Sequence, residues 1–172
     1  MQILLIRHGE SEDDFVEKDY TGPTDLPLTN KGLLQVTKMS NRVLKEFPPD
    51  FIWSSTLKRA SKAAEILSDT IGCPVDYLDD LREMQETESK IDFRLRAERI
   101  LTFIRENSTE FHRISIISHG GMITKLIESF LQLPNENNVW FHSDNTGIHL
   151  LEHTQDWKIM RFTNSTSHLT ED

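Results

Sequence analysis

Histidine and glycine recur side by side at two distant places in this chain, each time after an apolar run. Arg7-His8-Gly9-Glu10 follows Ile3-Leu4-Leu5-Ile6, and Ser118-His119-Gly120-Gly121 follows Ile114-Ser115-Ile116-Ile117. Each delivers an imidazole to the carboxyl end of an expected buried strand, where open α/β sheets bind their ligands. The neighbouring glycines let the backbone turn and approach a bound anion closely. An arginine beside one of two such imidazoles points to a phosphate site with a histidine nucleophile, not to a metal site. A doubly charged phosphoryl group asks for fixed positive charge and many N–H donors. Arg7 and Arg59 are the natural suppliers, because guanidinium forks match phosphate oxygens in pairs. Arg59 follows Ser54-Ser55-Thr56-Leu57-Lys58, in the first turn of an expected helix whose N-terminus itself favours an anion. A histidine among cations is driven to its neutral, nucleophilic form, and its attack on phosphorus gives a phosphohistidine. The leaving alkoxide then needs a proton. Glu83, in Leu81-Arg82-Glu83-Met84 shortly after an expected strand at Val75–Leu78, is placed to give it.

The elements that must position these groups read as alternating strands and helices. Residues 2–6 and 113–118 are short apolar runs that predict buried strands. Residues 30–47 carry Leu33, Leu34, Val36, Val43, Leu44 and Phe47 near helical spacing, and Pro48-Pro49 stop them. Phe51-Ile52-Trp53 predicts a strand, and Thr56 is a candidate cap for a helix running to about residue 71, ended by Gly72 and Pro74. Residues 92–108 place Phe93, Ala97, Ile100, Leu101 and Ile104 on one helical face, and 122–133 predict another helix before Pro134. The tail from about 138 to 163 alternates like strands around Asn145-Thr146-Gly147 and Gln155-Asp156. This order implies an α/β protein, a three-layer α/β/α sandwich with a largely parallel sheet and an added antiparallel strand.

A chain of 172 residues has the usual size of one domain, and residues 1–172 are expected to form one. Nineteen basic against twenty-eight acidic residues give a net charge of −9, which argues against a nucleic-acid partner. Cys73 stands alone, which excludes an intramolecular disulfide framework and fits a reducing compartment. The N-terminal apolar run is too short for a signal peptide or membrane span, and Arg7 interrupts it. The expectation is a cytoplasmic protein without a membrane anchor, monomer or dimer.

With these residues in place the chain resembles the histidine phosphatase superfamily, in its phosphoglycerate-mutase-like branch. The resemblance covers nearly the whole length. It rests on Leu5-Ile6-Arg7-His8-Gly9-Glu10-Ser11, on Asp25-Leu26-Pro27-Leu28-Thr29 with Gly32 and Gln35, and on Ser54-Ser55 with Leu57, Arg59-Ala60 and Ala64. It continues through Leu81 and Glu83, Ser118-His119-Gly120-Gly121, Asn145, and Trp157 with His168-Leu169. The resemblance implies a nucleophile at His8, a proton donor at Glu83, and phosphate binding by Arg7, Arg59 and His119 together with Asp14 and Gly120. Ser11, Thr21 and Gly22 fall on its substrate loop. It also implies that no metal or cofactor is needed, and that water cleaves a phosphorylated His8 in each turnover.

Three departures bear on the substrate. Asp14 stands where the family usually has asparagine, and an ionised carboxylate can only accept hydrogen bonds. Met84-Gln85-Glu86-Thr87-Glu88-Ser89 replaces the glycine, aromatic, Glu and Gly that often follow the acid. Glu83 and His119 stand only 36 positions apart, so most of the cap insertion of relatives acting on small metabolites is missing. An open mouth is expected. Between Glu10 and Asp25 the acids Glu10, Glu12, Asp13, Asp14, Glu17, Asp19 and Asp25 face Lys18 alone, which disfavours polyanionic ligands if that loop borders the mouth. The reading is therefore a phosphatase for a small phosphorylated metabolite or a phosphoprotein. Its alternatives are a phosphoglycerate mutase, a protein-phosphohistidine phosphatase, and a non-enzymatic phosphate-binding module.

Other residues have plainer readings. His112, His142 and His168 read as ordinary core or surface side chains, and Trp53, Trp140 and Trp157 as core or edge packing. Cys73 reads as a packing residue at a turn. His149 and His153 share the i, i+4 spacing of a helical metal pair but flank Leu150-Leu151 in an expected strand. The acidic loop has solvated surface as its simplest explanation.

Overall fold

The computed structural model describes residues 1–17, 19, 20 and 25–170. Its sheet has the order β3-β2-β4-β1-β5-β6. The strands are β1 (Gln2–Arg7), β2 (Phe51–Ser55), β3 (Val75–Leu78), β4 (Arg113–Ser118), β5 (Ile148–His153) and β6 (Lys158–Ser165). β1 to β4 run parallel, while β5 pairs antiparallel with β1 and β6 antiparallel with β5. The antiparallel addition is thus a hairpin of two strands.

Alternation along β1 explains the three layers. Ile3 and Leu5 face a core shared with α3 (Lys90–Glu106) and α4 (Gly120–Leu131), where Phe93, Ile104, Ile123 and Phe130 are buried. Leu4 and Ile6 face the opposite core, shared with α1 (Asn30–Glu46) and α2 (Lys58–Ile71), where Val36, Met39, Val43 and Leu67 are buried. A strand covered on both faces reads as a continuous apolar run, as Ile3–Ile6 does. The buried stripe of α1 is Val36, Met39, Ser40 and Val43; Leu34 and Leu44 fall off it and are exposed.

β1 and β4 are neighbours in register, Arg7 opposite Ser118. The chain leaves β1 toward the face of α1 and leaves β4 toward the face of α4. A crevice opens between two adjacent strands whose connections part in this way, and that is where α/β sheets bind ligands. His8 and His119 are the first residues past these two strand ends.

Several boundaries differ from the sequence reading. Thr56 does not cap α2. Leu57 is its N-cap, and the first helical N–H, on Lys58, donates to Asp25 Oδ1 at 2.7 Å. α4 starts at Gly120, so its first turn carries both glycines. Trp53 is buried and donates to Ser108 Oγ at 3.0 Å, whereas Trp140 and Trp157 are exposed. The connection from β3 to α3 is a single 3₁₀ turn, Asp79–Leu81, followed by residues 82–89.

The loop after β1 is held from beneath by α1. Thr29 accepts the Gly32 N–H at 3.0 Å and donates to Glu10 Oε1 at 2.9 Å, while Gln35 Oε1 accepts the Glu10 N–H at 2.8 Å. Gly32 lies so close that a Cβ there would overlap the Glu10 carbonyl, and one on Gly9 would overlap the Gly32 carbonyl. These contacts are backbone against backbone and cannot yield. Gly32→Ala is expected to destabilise the protein by about 1–3 kcal/mol and to lower its thermal midpoint. An unchanged midpoint in a calorimetric scan would show that α1 does not seat this loop.

Candidate active site

His8 is 3% exposed and His119 is 1% exposed, and their rings lie 5.1 Å apart. His8 Nδ1 lies 2.7 Å from the Gly9 carbonyl. A carbonyl only accepts, so the proton sits on Nδ1 and the lone pair is on Nε2. Nε2 accepts from Arg59 Nε at 3.2 Å. The loop carbonyl and the arginine therefore fix the tautomer between them. His119 is the N-cap of α4, with its Nε2 2.8 Å from Ser55 Oγ.

Both imidazoles stay neutral. Burial, helped by the Arg59 and Arg7 guanidiniums, lowers the His8 pKa to about 3 against the pull of the Gly9 carbonyl. Burial also holds the His119 pKa well below the usual histidine value, helped by the neighbouring His8 and by both arginines.

The two arginines come from different elements. Arg59 occupies the first turn of α2, is 8% exposed, and pairs with Asp13 at 3.0 Å. Arg7 ends β1, donates to the Ser143 carbonyl at 2.8 Å, and lies 3.7 Å from Asp14. Asp13 and Asp14 both belong to the 3₁₀ turn Glu12–Phe15. The acidic loop is thus in part tied to the site. Asp13 and Asp14 stand against its arginines, Glu10 takes Thr29 and Lys31, and Asp25 caps α2. Asp14 sits beside the site as an acceptor only: its Oδ2 takes the Ser11 N–H at 2.9 Å and lies 3.5 Å from Asn145 Nδ2.

Two buried polar atoms beside the imidazoles have no partner: Arg7 Nε and His119 Nδ1. Buried polar atoms in native proteins are paired with few exceptions, and each exception asks for a ligand or a function. Gly120 lies close to the Arg7 side chain, about 4.0 Å from its Nε at the nearest approach of a Cβ.

Glu83 approaches from the other wall. Its Oε1 accepts the Met84 N–H at 2.9 Å, and its Oε2 accepts the Gly121 N–H of the first α4 turn at 2.8 Å. A Cβ on Gly121 would overlap this carboxylate. A cleft of about 480 Å³ runs along Leu57, Arg59, Arg82, Glu83 and Met84 to Thr87.

The structure therefore brings His8, Arg7, Arg59, His119 and Gly120 to one hollow, with Glu83 on its rim and Asp14, which holds the Ser11 N–H, beside it. Thr21 and Gly22 lie outside the described residues. The plainer readings of the other histidines hold for their positions. His112 and His142 are exposed, His168 meets Thr146 Oγ1, and His149 is buried against Ser143. Sequence reasoning missed Asp13, the Ser55 hydroxyl and the Ser143 carbonyl. Asp13 was visible only as part of an acidic run, and a backbone carbonyl leaves no trace in residue type.

The sequence profile of the histidine phosphatase superfamily (branch 1) matches residues 3–87 and 84–166. The chain belongs to the histidine phosphatase superfamily. Among curated relatives, the "Uncharacterized phosphatase PhoE" of Bacillus subtilis (strain 168) is 37% identical over 81 residues, 47% of this chain and 41% of that protein. The "Probable phosphoglycerate mutase GpmB" of Escherichia coli O1:K1 / APEC is 37% identical over 84 residues, 49% of this chain and 38% of that protein. The aligned stretches thus cover 41% and 38% of these relatives' lengths. Among solved structures, the alpha-ribazole phosphatase from Shigella flexneri has a TM-score of 0.84 at 24% identity, covering 100% of both chains. A phosphoserine phosphatase mutant from Entamoeba histolytica, in complex with phosphoserine, has a TM-score of 0.78 at 21% identity, covering 98% of this chain and 99% of that one. The superfamily fold is thus shared over its full extent, with no helix among the described residues long and apolar enough to cross a membrane.

A neutral buried histidine makes stability depend on pH with a definite sign. The unfolded His8 binds a proton near pH 6.5, while the folded one resists it down to about 3. Between these values the unfolded state binds more protons, so stability falls as pH falls, by at most about 1.4 kcal/mol per pH unit for this one group. Replacing His8 by Gln is expected to flatten the decline of the thermal midpoint between pH 6.5 and 4.5. Parallel declines for the two proteins would mean that His8 is not held neutral.

Proposed function

We propose that this protein is a phosphatase that hydrolyses phosphomonoesters through a phosphohistidine on His8. The observation that carries the reading is the convergence of a neutral Nε2, two arginines and two unpartnered buried nitrogens, Arg7 Nε and His119 Nδ1. A phosphoryl group supplies the acceptor oxygens that those atoms lack.

In the first step His8 Nε2 attacks phosphorus and the bond from phosphorus to the ester oxygen breaks. Arg59 must release the Nε2 lone pair and turn to the phosphoryl oxygens, which also compete with Asp13 for its guanidinium. The Nδ1–H bond to Gly9 stabilises the positive charge that forms on the ring. Ser55 Oγ accepts the Leu57 N–H at 3.3 Å and lies 2.8 Å from His119 Nε2, and in the proposed mechanism the His119 proton sits on Nδ1, the unpartnered atom. The Glu83 carboxyl gives its proton to the leaving oxygen. In the second step Glu83 takes a proton from water, the water oxygen bonds to phosphorus, and the bond to Nε2 breaks to release inorganic phosphate. Within this reading Arg7, Arg59, His119 and the Gly120 backbone hold the phosphoryl group, while Asp14 stands behind Arg7 as a carboxylate.

The mouth favours a phosphatase over a mutase. Only residues 82–89 separate the turn after β3 from α3, and they bring Glu86 into the cleft alongside Arg82, itself paired with Asp79 at 3.0 Å. Such a rim offers little to a second phosphate. It suits a small phosphorylated metabolite or a phosphoprotein side chain, in a cytoplasmic setting.

The deciding experiment is hydrolysis of p-nitrophenyl phosphate in the presence of EDTA. Wild type is expected to be active and His8→Ala to lose at least a thousandfold; Glu83→Gln is expected to slow phenyl phosphate far more than p-nitrophenyl phosphate, whose leaving group needs no proton. Activity that survives the loss of His8, or an equal slowing of both esters by Glu83→Gln, would sink the respective assignment. Faster turnover of 2,3-bisphosphoglycerate than of phenyl phosphate would favour the mutase. Asp14→Asn removes a negative charge beside Arg7 and adds an amide donor. It is expected to tighten inhibition by orthovanadate roughly three- to tenfold, the size of one partly screened charge, and weaker inhibition would overturn that role.

A further inference from the structure

Arg96 on α3 is buried, 5% exposed, and all its N–H groups are engaged. Nε and Nη2 grip the two Glu88 carboxylate oxygens at 2.8 and 2.7 Å. Nη1 donates to the Asp80 and Arg82 carbonyls at 2.7 and 2.9 Å, and Nη2 to the Glu83 carbonyl at 3.3 Å. Its guanidinium also rests over the Phe93 ring at 5.0 Å. Glu88 in turn ties the loop to itself, with its Oε2 accepting the Gln85 N–H at 3.2 Å and its own N–H donating to the Gln85 carbonyl at 3.0 Å.

We infer that Arg96, locked by Glu88, is the positioning residue that aims Glu83 at the leaving oxygen. The inference rests on the reading of Glu83 as the proton donor. Arg96 fixes the main chain of Glu83 and of its predecessor, while the Gly121 N–H fixes the carboxylate. One guanidinium therefore does for residues 80–88 what packing beneath an inserted cap could do in a longer chain. Lysine cannot replace it: an ammonium has three donors and no planar fork, so it cannot hold three carbonyls and a bidentate carboxylate together. A misplaced proton donor slows turnover without weakening ground-state binding.

The test compares phenyl phosphate with p-nitrophenyl phosphate, esters of similar shape that differ in their need for a proton. Arg96→Lys is expected to lower kcat for phenyl phosphate at least tenfold, to change kcat for p-nitrophenyl phosphate no more than about threefold, and to leave both KM values in place. In a Glu83→Gln background the same substitution is expected to add little, because it acts through the carboxyl that is already gone. Equal losses on both esters, a rise in KM alone, or an undiminished effect in the Glu83→Gln background would overturn the inference. If Glu83→Gln itself shows no preference between the esters, the assignment of Glu83 has failed, and the Arg96 comparison identifies that failure separately. Should Arg96→Lys not fold, Glu88→Gln carries the same comparison, since it leaves the Arg96 bonds to the main chain and breaks the bidentate carboxylate grip, together with the tie to the Gln85 N–H.

Discussion

Burying cations without an anion is the constraint around which this molecule is arranged. Arg59 is almost wholly enclosed, Arg7 partly so, and both border two imidazoles that burial itself keeps neutral. Uncompensated charge of this kind is expensive in a low-dielectric interior. The Glu12–Phe15 turn answers part of it by setting Asp13 against Arg59 and Asp14 against Arg7. The compensation is incomplete, since Arg7 Nε and His119 Nδ1 remain buried without partners. A phosphoryl group completes it only by competing with carboxylates already in place. On the proposed reading that competition weakens binding, and with it the grip on inorganic phosphate after hydrolysis, which favours release of product.

Rigidity around the hollow comes from backbone contacts more than from side-chain packing. Gly9 and Gly32 press two main chains together, and Gly121 lets the Glu83 carboxylate reach the first turn of α4. The second contact aims a free N–H of the helix's first turn at one carboxyl oxygen, which fixes the orientation of the group. The carboxyl group is thus positioned by the same helix that positions His119. A single element relates the proposed proton donor to the proposed phosphate site.

Much of this was legible in the residues. Ile3–Ile6 and Ile114–Ile117 announced two buried strands because burial on both faces leaves an apolar run, broken in the second only by the small buried Ser115, and the histidines after them stood where such strands end. Phe93, Ala97, Ile100, Leu101 and Ile104 marked the inner face of α3 correctly. The same helix hid its most consequential residues, however. Arg94 and Arg96 are buried there among ion pairs, and a periodicity argument assigns charged residues to the solvent face. Thr56 looked like a helix cap by type, but Asp25, distant in sequence, supplies the acceptor, and Thr56 bonds Asp79 and Arg82 instead. What escaped was long-range: which carboxylate meets which arginine depends on how loops fold back over the sheet, and local pattern carries no record of that.

The short connection between β3 and α3 brings these points together. A loop of this length without a cap would ordinarily be among the more mobile parts of an α/β protein. Here it carries the proposed proton donor, which needs to be held to within a fraction of an ångström of its productive geometry. The conflict is resolved by drawing the main chain inward onto Arg96, so that the carbonyls of Asp80, Arg82 and Glu83 face a buried cation while Met84, Gln85 and Glu86 stay exposed. Precision and openness are thereby separated within a few residues. On the proposed reading the inner edge of the loop is fixed for proton transfer, while its exposed outer edge can meet leaving groups of varied size. A chain that lacks the inserted cap can in this way keep a positioned carboxyl without enclosing its substrate.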